Sequence, residues 1–217
     1  MSAQDQDVLT IEPDLHALVS GEGRGYRSFM YVLSLGDFSI LIDATRGELI
    51  PRLAPFPPPR YLLLTHCHTR CDEALYESHF GLSVYLHPED AKAPRLLMAE
   101  GTPNASRYLD PRSDAALAEL GFRFLVVPGH TPGCTLIYWD RHGGVLFSSD
   151  TIIGALPGQP PGLGFPPTEV SDDVPLMHDS VRALACPRVR HVLPFHGEPL
   201  IRVQPDEFTR MWSALVT

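Results

Sequence analysis

The chain has 217 residues, of which 44% are hydrophobic and 20% charged, and a formal charge of −9. This composition suits a globular domain spanning residues 1–217, and no stretch approaches the roughly 20 continuous apolar residues that a membrane span needs. The acidic balance argues against nucleic acid and anionic membranes as partners, because both select basic surfaces.

The opening MSAQDQDVLTIEPDL is acidic and lacks a basic-then-apolar run, so no export signal is expected and the cytoplasm is the expected compartment. In that setting Cys67, Cys71, Cys134 and Cys186 are expected to be reduced thiols. Cys134 and Cys186 read as core residues.

Phe29–Leu35 and Phe38–Asp43 are apolar runs separated by Gly36-Asp37, which predicts a β-hairpin. A proline-rich linker, Pro55–Pro59, leads into a buried strand at Tyr61–Thr65. Asp72–Phe80 reads as a short helix ended by Gly81, and Asp72 as its cap. A strand at Ser83–His87 precedes a helix opening at Pro88-Glu89-Asp90, where proline and acids suit the first turn. A further helix is expected from Asp110-Pro111 to Gly121.

Phe122–Val127 reads as a strand, and Thr135–Trp139 and Val145–Ser148 as a hairpin across Arg141–Gly144. Ile153–Pro167 is rich in glycine and proline and long enough to be a functional loop or lid. Helical spacing at Val174, Met177, Val181 and Leu184 places a helix over Asp173–Cys186. A last strand, His191–Pro194, and a last helix, Pro205–Leu215, complete the set. The order suggests two sheets face to face with helices outside.

Four strand ends carry the chemistry. The first reads Thr65-His66-Cys67-His68; in extended chain His66 and His68 point one way and Cys67 the other. The second is Pro128-Gly129-His130-Thr131-Pro132-Gly133, a tight loop holding His130. The third, Leu146–Asp150, ends an apolar strand in an acid, and the fourth is Pro194-Phe195-His196-Gly197. Each is ambiguous alone, but imidazoles and a carboxylate at successive strand ends are a metal-site pattern, suited to zinc and iron alike.

This order closely resembles the metallo-β-lactamase superfamily, whose members carry HxHxDH, then H, then D, then H. The resemblance runs from Asp43 in LIDATRG to His196 in PFHGEP, with His87 in VYLHPED between them. It implies an α/β fold of the four-layer αβ/βα sandwich type with metals at one edge. It further implies that His66, His68 and His130 hold the first metal, that Asp150 is the carboxylate bridging two metals, and that His196 serves the second.

The departure lies in His66-Cys67-His68-Thr69-Arg70-Cys71, where Arg70 and Cys71 stand in place of the aspartate and third histidine of the second site. Guanidinium offers only donors and cannot ligate a cation. Two orientations are open for Arg70. Turned inward, it pairs with Asp150 or grips an anionic substrate group; turned outward, it leaves the second site empty. Cys71 is either a thiolate ligand alongside Asp150 and His196 or a small buried apolar side chain.

The expected function is hydrolysis of a small ester, thioester or lactone by one metal ion, zinc first and iron second, with Asp150 orienting or deprotonating water. Two alternatives stand beside it. One is a mononuclear iron sulfur dioxygenase using His66, His130 and Asp150, by similarity to other superfamily members. The other is a degenerate, non-catalytic member that binds a ligand.

Overall fold

The computed structural model describes residues 8–23, 26–44, 46–93 and 108–217. Strands β1 (Val8–Glu12), β2 (Leu15–Gly23), β3 (Tyr26–Leu35), β4 (Phe38–Ile42), β5 (Pro59–Leu63) and β6 (Ser83–Tyr85) form one sheet in that spatial order. Its first three junctions are antiparallel, while β4, β5 and β6 run parallel. The second sheet is built from β7 (Phe122–Val126), β8 (Thr135–Trp139), β9 (Val145–Ser149), β12 (His191–Pro194) and β13 (Leu200–Ile201), in the order β13-β12-β9-β8-β7.

The sheets pack face to face. Phe29, Tyr31, Leu33, Ile40 and Ile42 from the first meet Ile137, Trp139, Phe147 and Leu193 from the second in one cluster. Met30, Val32 and Leu41 point the other way, into a second cluster with Tyr76 of α1 (Glu73–Phe80) and Ala91 of α2 (Pro88–Lys92). The central strands are thus buried on both faces, which is why they read as continuous apolar runs rather than alternating ones. On the far side, Val181 of α4 (Val174–Arg182) and Phe208 and Trp212 of α5 (Pro205–Val216) cover Leu136, Leu146 and Val192. The result is the expected four-layer αβ/βα sandwich. No helix among the described residues is long and apolar enough to cross a membrane.

Several elements differ from expectation. Strands β1 and β2 carry no sequence signal strong enough to predict them, because register shifts at Thr10/Glu12 and Val19/Gly21 break their alternation. The helix expected from Asp110 is split. A 3₁₀ turn over Pro111–Ser113 stops at Asp114, whose carboxylate then caps α3 (Ala115–Glu119) through Ala116 N and Leu117 N. Asp72 occupies the N-cap position of α1, but its carboxylate accepts from Gly47 N (2.8 Å) rather than from the helix. Cys134 is buried as expected, whereas Cys186 is exposed.

His191 is fully buried at the start of β12. Its Nε2 lies 3.2 Å from Glu12 Oε1, and Arg202 clasps the same carboxylate at 3.4 Å while donating to Ile11 O. This cluster ties β1 to the second sheet. Burial holds the His191 pKa below its ordinary value despite Glu12, with Arg190, His142 and Arg202 adding to the effect. The Glu12 carboxyl is also held low, because Arg202, His191 and His142 outweigh its burial.

Both shifts have the same sign for stability. Below about pH 6.5 the unfolded chain protonates its histidine before the folded one does, so stability falls with pH, and the Glu12 share goes below about pH 4.5. We expect His191→Gln to lose less melting temperature than the parent between about pH 7 and pH 5.5. Equal losses in thermal unfolding would contradict this.

Candidate metal centre

His66, His68, His130, Asp150 and His196 sit just past the ends of strands at one edge of the sandwich. After β5 the chain runs extended through His66 (φ −161°, ψ 169°), then closes a 3₁₀ turn over Cys67–Thr69. His66 and His68 therefore converge because of the turn, not through strand alternation. His130 lies in the β7–β8 loop, where Gly129 takes φ +129°. Asp150 follows β9 through Ser149, a non-glycine residue at φ +58°. His196 follows β12, and its segment is pinned by Phe29 N donating to Phe195 O (2.9 Å) and Gly197 N to Arg27 O (3.1 Å).

The ligand atoms of His66, His68 and His130 all lie within 4.8 Å of one another, with ring centroids 4.9–5.2 Å apart. Asp150 Oδ2 faces Nε2 of His66 (3.4 Å), His196 (3.6 Å) and His130 (3.9 Å). Three atoms here, His66 Nε2, His130 Nε2 and Asp150 Oδ1, are buried and make no hydrogen bond among the described residues. Buried polar atoms are normally paired; unpaired ones converging on a point fit a cation.

Hydrogen bonds at Nδ1 orient two of the imidazoles. Thr65 Oγ1 donates its proton to Asp43 Oδ2 (2.9 Å), so it can only accept from His66 Nδ1 (3.0 Å), which leaves the His66 Nε2 lone pair facing the site. Ser149 Oγ approaches the same Nδ1 at 3.1 Å. Asp43 is itself locked at φ +55° and accepts from Thr65 N at 2.8 Å. Burial pushes its carboxyl up to about 6, even though His66 and the two Thr65 bonds oppose this. His130 Nδ1 meets Ser171 Oγ (3.2 Å), and its carbonyl accepts from Asp172 N (3.2 Å).

Burial, then the neighbouring His66, lowers His68 to about 4 and His130 to about 3, so both are neutral at physiological pH. Burial alone would lower His66 as well, but the Asp150 carboxylate beside it raises it. Burial would raise Asp150, yet His196, His66 and His130 together hold it well below the usual carboxylate range.

The structure brings together His66, His68, His130, Asp150 and His196, and turns Arg70 away from them. Arg70 takes neither expected orientation. It is buried (4% exposed) yet turned away from Asp150, donating through Nη1 to Ala93 O (2.8 Å) and Asp90 O (3.1 Å) and through Nε to Tyr108 Oη (3.2 Å). Carbonyls at the C-terminal end of α2 are a natural sink for a cation. Tyr108 in turn donates to Glu73 Oε1 (2.6 Å). Cys71 Sγ lies 3.7 Å from His68 O and is not part of the three-histidine cluster.

Sequence reasoning passed over Asp90, Ser149 and Ser171. Ser149 and Asp43 act through left-handed backbone, which no residue type other than glycine advertises. Asp90 sits in the HPED run, where an acid reads simply as first-turn helix chemistry.

The profile of the Metallo-beta-lactamase superfamily matches residues 23–196. A hydroxyacylglutathione hydrolase from Anaeromyxobacter dehalogenans is 31% identical over 135 residues, covering 60% of this chain. The match spans about half (48%) of that relative's length. Among solved structures, a metallo-beta-lactamase from Pontibacter korlensis superposes with a TM-score of 0.68 at 18% identity, over 95% of this chain and 97% of that one. The di-iron-bound form of TTHA1623 gives 0.62 at 22% identity, over 89% and 98%. These structural likenesses establish the fold.

Proposed function

The chain belongs to the metallo-β-lactamase superfamily, and from that premise we propose that it hydrolyses a small thioester, ester or lactone with a single metal ion, zinc first, held by His66, His68 and His130. The observation that carries this reading is the convergence of three imidazoles within 4.8 Å beside a carboxylate kept ionised. Arg70 and Cys71, at the positions of the second metal's ligands, lie outside the set. The thioester stands first because the chain is 31% identical to a hydroxyacylglutathione hydrolase over 135 residues.

His66, His68 and His130 would hold a zinc ion, which would supply an activated water by lowering its pKa to about 7. The chain's own groups then divide the work. Asp150, facing Nε2 of His66, His196 and His130, accepts a hydrogen bond from the attacking water and fixes its direction or takes its proton. His196, 28% exposed beside Asp150, is placed to donate to a substrate carbonyl oxygen as charge develops on it. Asp43 and Ser171 keep the ligating rings from rotating.

The test is thiol release from a panel of glutathione thioesters, with esters and lactones in parallel, using protein loaded with one equivalent of zinc. Asp150→Asn is expected to keep its metal and lose about a hundredfold or more in rate. A zinc-loaded protein inert on every substrate would end the reading.

The pairing of His66 and His130 with the same Asp150 oxygen, at 3.4 and 3.9 Å, supports a second reading, a two-histidine, one-carboxylate iron site for sulfur dioxygenation. Oxygen consumption with a persulfide, confined to iron-loaded protein, would select it.

A further inference from the structure

We infer that Asp90 is a positioning residue that locks the two histidine-bearing loops to each other, and that Arg70 holds the helix which presents it. The inference rests on the metal-site reading above.

Asp90 is completely buried in α2, and its carboxylate receives three hydrogen bonds. Oδ2 accepts from Cys67 N (2.8 Å) and from Thr131 Oγ1 (2.6 Å), and Oδ1 accepts from Gly133 N (2.6 Å). Cys67 lies between the ligands His66 and His68, and Thr131 directly follows His130. A single rigid group therefore spans both loops and grips each one residue away from a ligand. All three partners donate, so a carboxylate satisfies them and an amide does not: its NH₂ would face a backbone N–H.

The loops are shaped to reach it. A Cβ on Gly133 would sit 2.5 Å from His87 Nδ1 and 2.8 Å from Asp90 N, so only glycine allows this approach. His87 also accepts from Glu89 N at 3.3 Å, fixing the start of α2.

Arg70 completes the brace from the other side. Its guanidinium donates to the carbonyls of Asp90 itself and of Ala93. The residue that departs from the family's metal-ligating pattern is thus spent on the helix that aligns the remaining ligands. Removing the second metal's acid and aligning the first metal's histidines are two effects of one substitution.

The test reads metal affinity, by competition against a chromophoric chelator, in full-length protein. Second-shell changes of this kind cost about 10- to 100-fold in affinity, and we expect a loss in that range for Asp90→Asn. Thr131→Val removes one bond of the three and should lose several-fold, with Thr131→Ser restoring the parent value. Arg70→Gln should weaken zinc binding in the same direction without altering metal count per chain. Thermal unfolding in chelator separates alignment from stability. If Asp90→Asn fails to fold, the threonine pair decides.

Folded Asp90→Asn or Thr131→Val protein with parental zinc affinity would overturn the inference. Weakened binding in a chain that hydrolyses nothing would leave it standing and remove the proposed function instead. A parent protein that takes up no zinc at His66, His68 and His130 would remove both.

Discussion

On the proposed reading, His130→Ala protein is expected to come off purification with little zinc and with hydrolysis reduced by at least about a hundredfold. The imidazole it loses is one of three converging ligands and the one least able to protonate, lowered to about 3 by burial and by His66. It is also fixed by three groups of one segment. Ser171 meets Nδ1, Asp172 N donates to the His130 carbonyl, and Asp173 N donates to Gly129 O at 2.8 Å. Alanine leaves these supports without a ring to hold, and the remaining His66 and His68 form a chelate too weak to retain an ion against buffer. Metal content by mass spectrometry and thiol release from a thioester are the two readouts. Unchanged metal content would mean that the ion sits elsewhere; unchanged rate with lost metal would mean that the reaction does not use it.

Gly129→Ala is expected to be the most damaging change that touches no ligand. Gly129 has φ +129°, and a Cβ there would lie 2.2 to 2.5 Å from the backbone and Cβ of Met177. Met177 is fully buried in α4, so the helix cannot step back without opening the cluster beneath it. Overpacking costs about 1–3 kcal/mol and a strained backbone a further 1–3, giving roughly 2–6 kcal/mol. That is a large share of a typical domain's stability. Gly158→Ala is the matched control, since Gly158 has φ +84° but nothing within 4 Å of its Cβ position. It should cost about 1 kcal/mol. Denaturant titrations that place the two variants at equal stability would refute the steric account.

Much of this was legible before the fold was known, and the pattern of what was not is physical. Three of the four strand-end motifs follow an apolar run buried on both faces, as YLLL and VLF are, and buried runs announce their ends; the His130 motif follows the edge strand β7 and is marked instead by its glycines and prolines. The convergence of His66 and His68 was expected for the wrong geometric reason: alternation along a strand, where the chain makes a 3₁₀ turn. Arg70 was misplaced because residue type states what a guanidinium cannot ligate, but not which carbonyls lie within its reach. Those carbonyls, of Asp90 and Ala93, are 20 or more residues away in sequence. Asp90 shows the same limit from the other side. Its three donors come from loops at Cys67 and at Thr131–Gly133, and nothing local distinguishes it from an ordinary helix-start acid. Strands β1 and β2 went unread because their bulges cancel the period that sequence reading depends on.

The segment Ile153–Pro167, expected as a lid, holds a short hairpin, β10 (Ile153–Gly154) with β11 (Leu163–Gly164). Its base is sewn to the His196 segment: Gly154 N donates to His196 O (3.1 Å) and Glu198 N to Ala155 O (2.9 Å). Gly154 and Gly197 pack so closely that a Cβ on either would strike the other strand's backbone. The far end is weighted down by Phe165 stacked on His178 of α4, with centroids 4.1 Å apart. Between these anchors, a Cβ added at Gly158 or Gly164 would meet nothing within 4 Å. Anchorage and variation are thereby assigned to different stretches of one loop. The tip can drift in length and composition while the rim that carries His196 stays where it is.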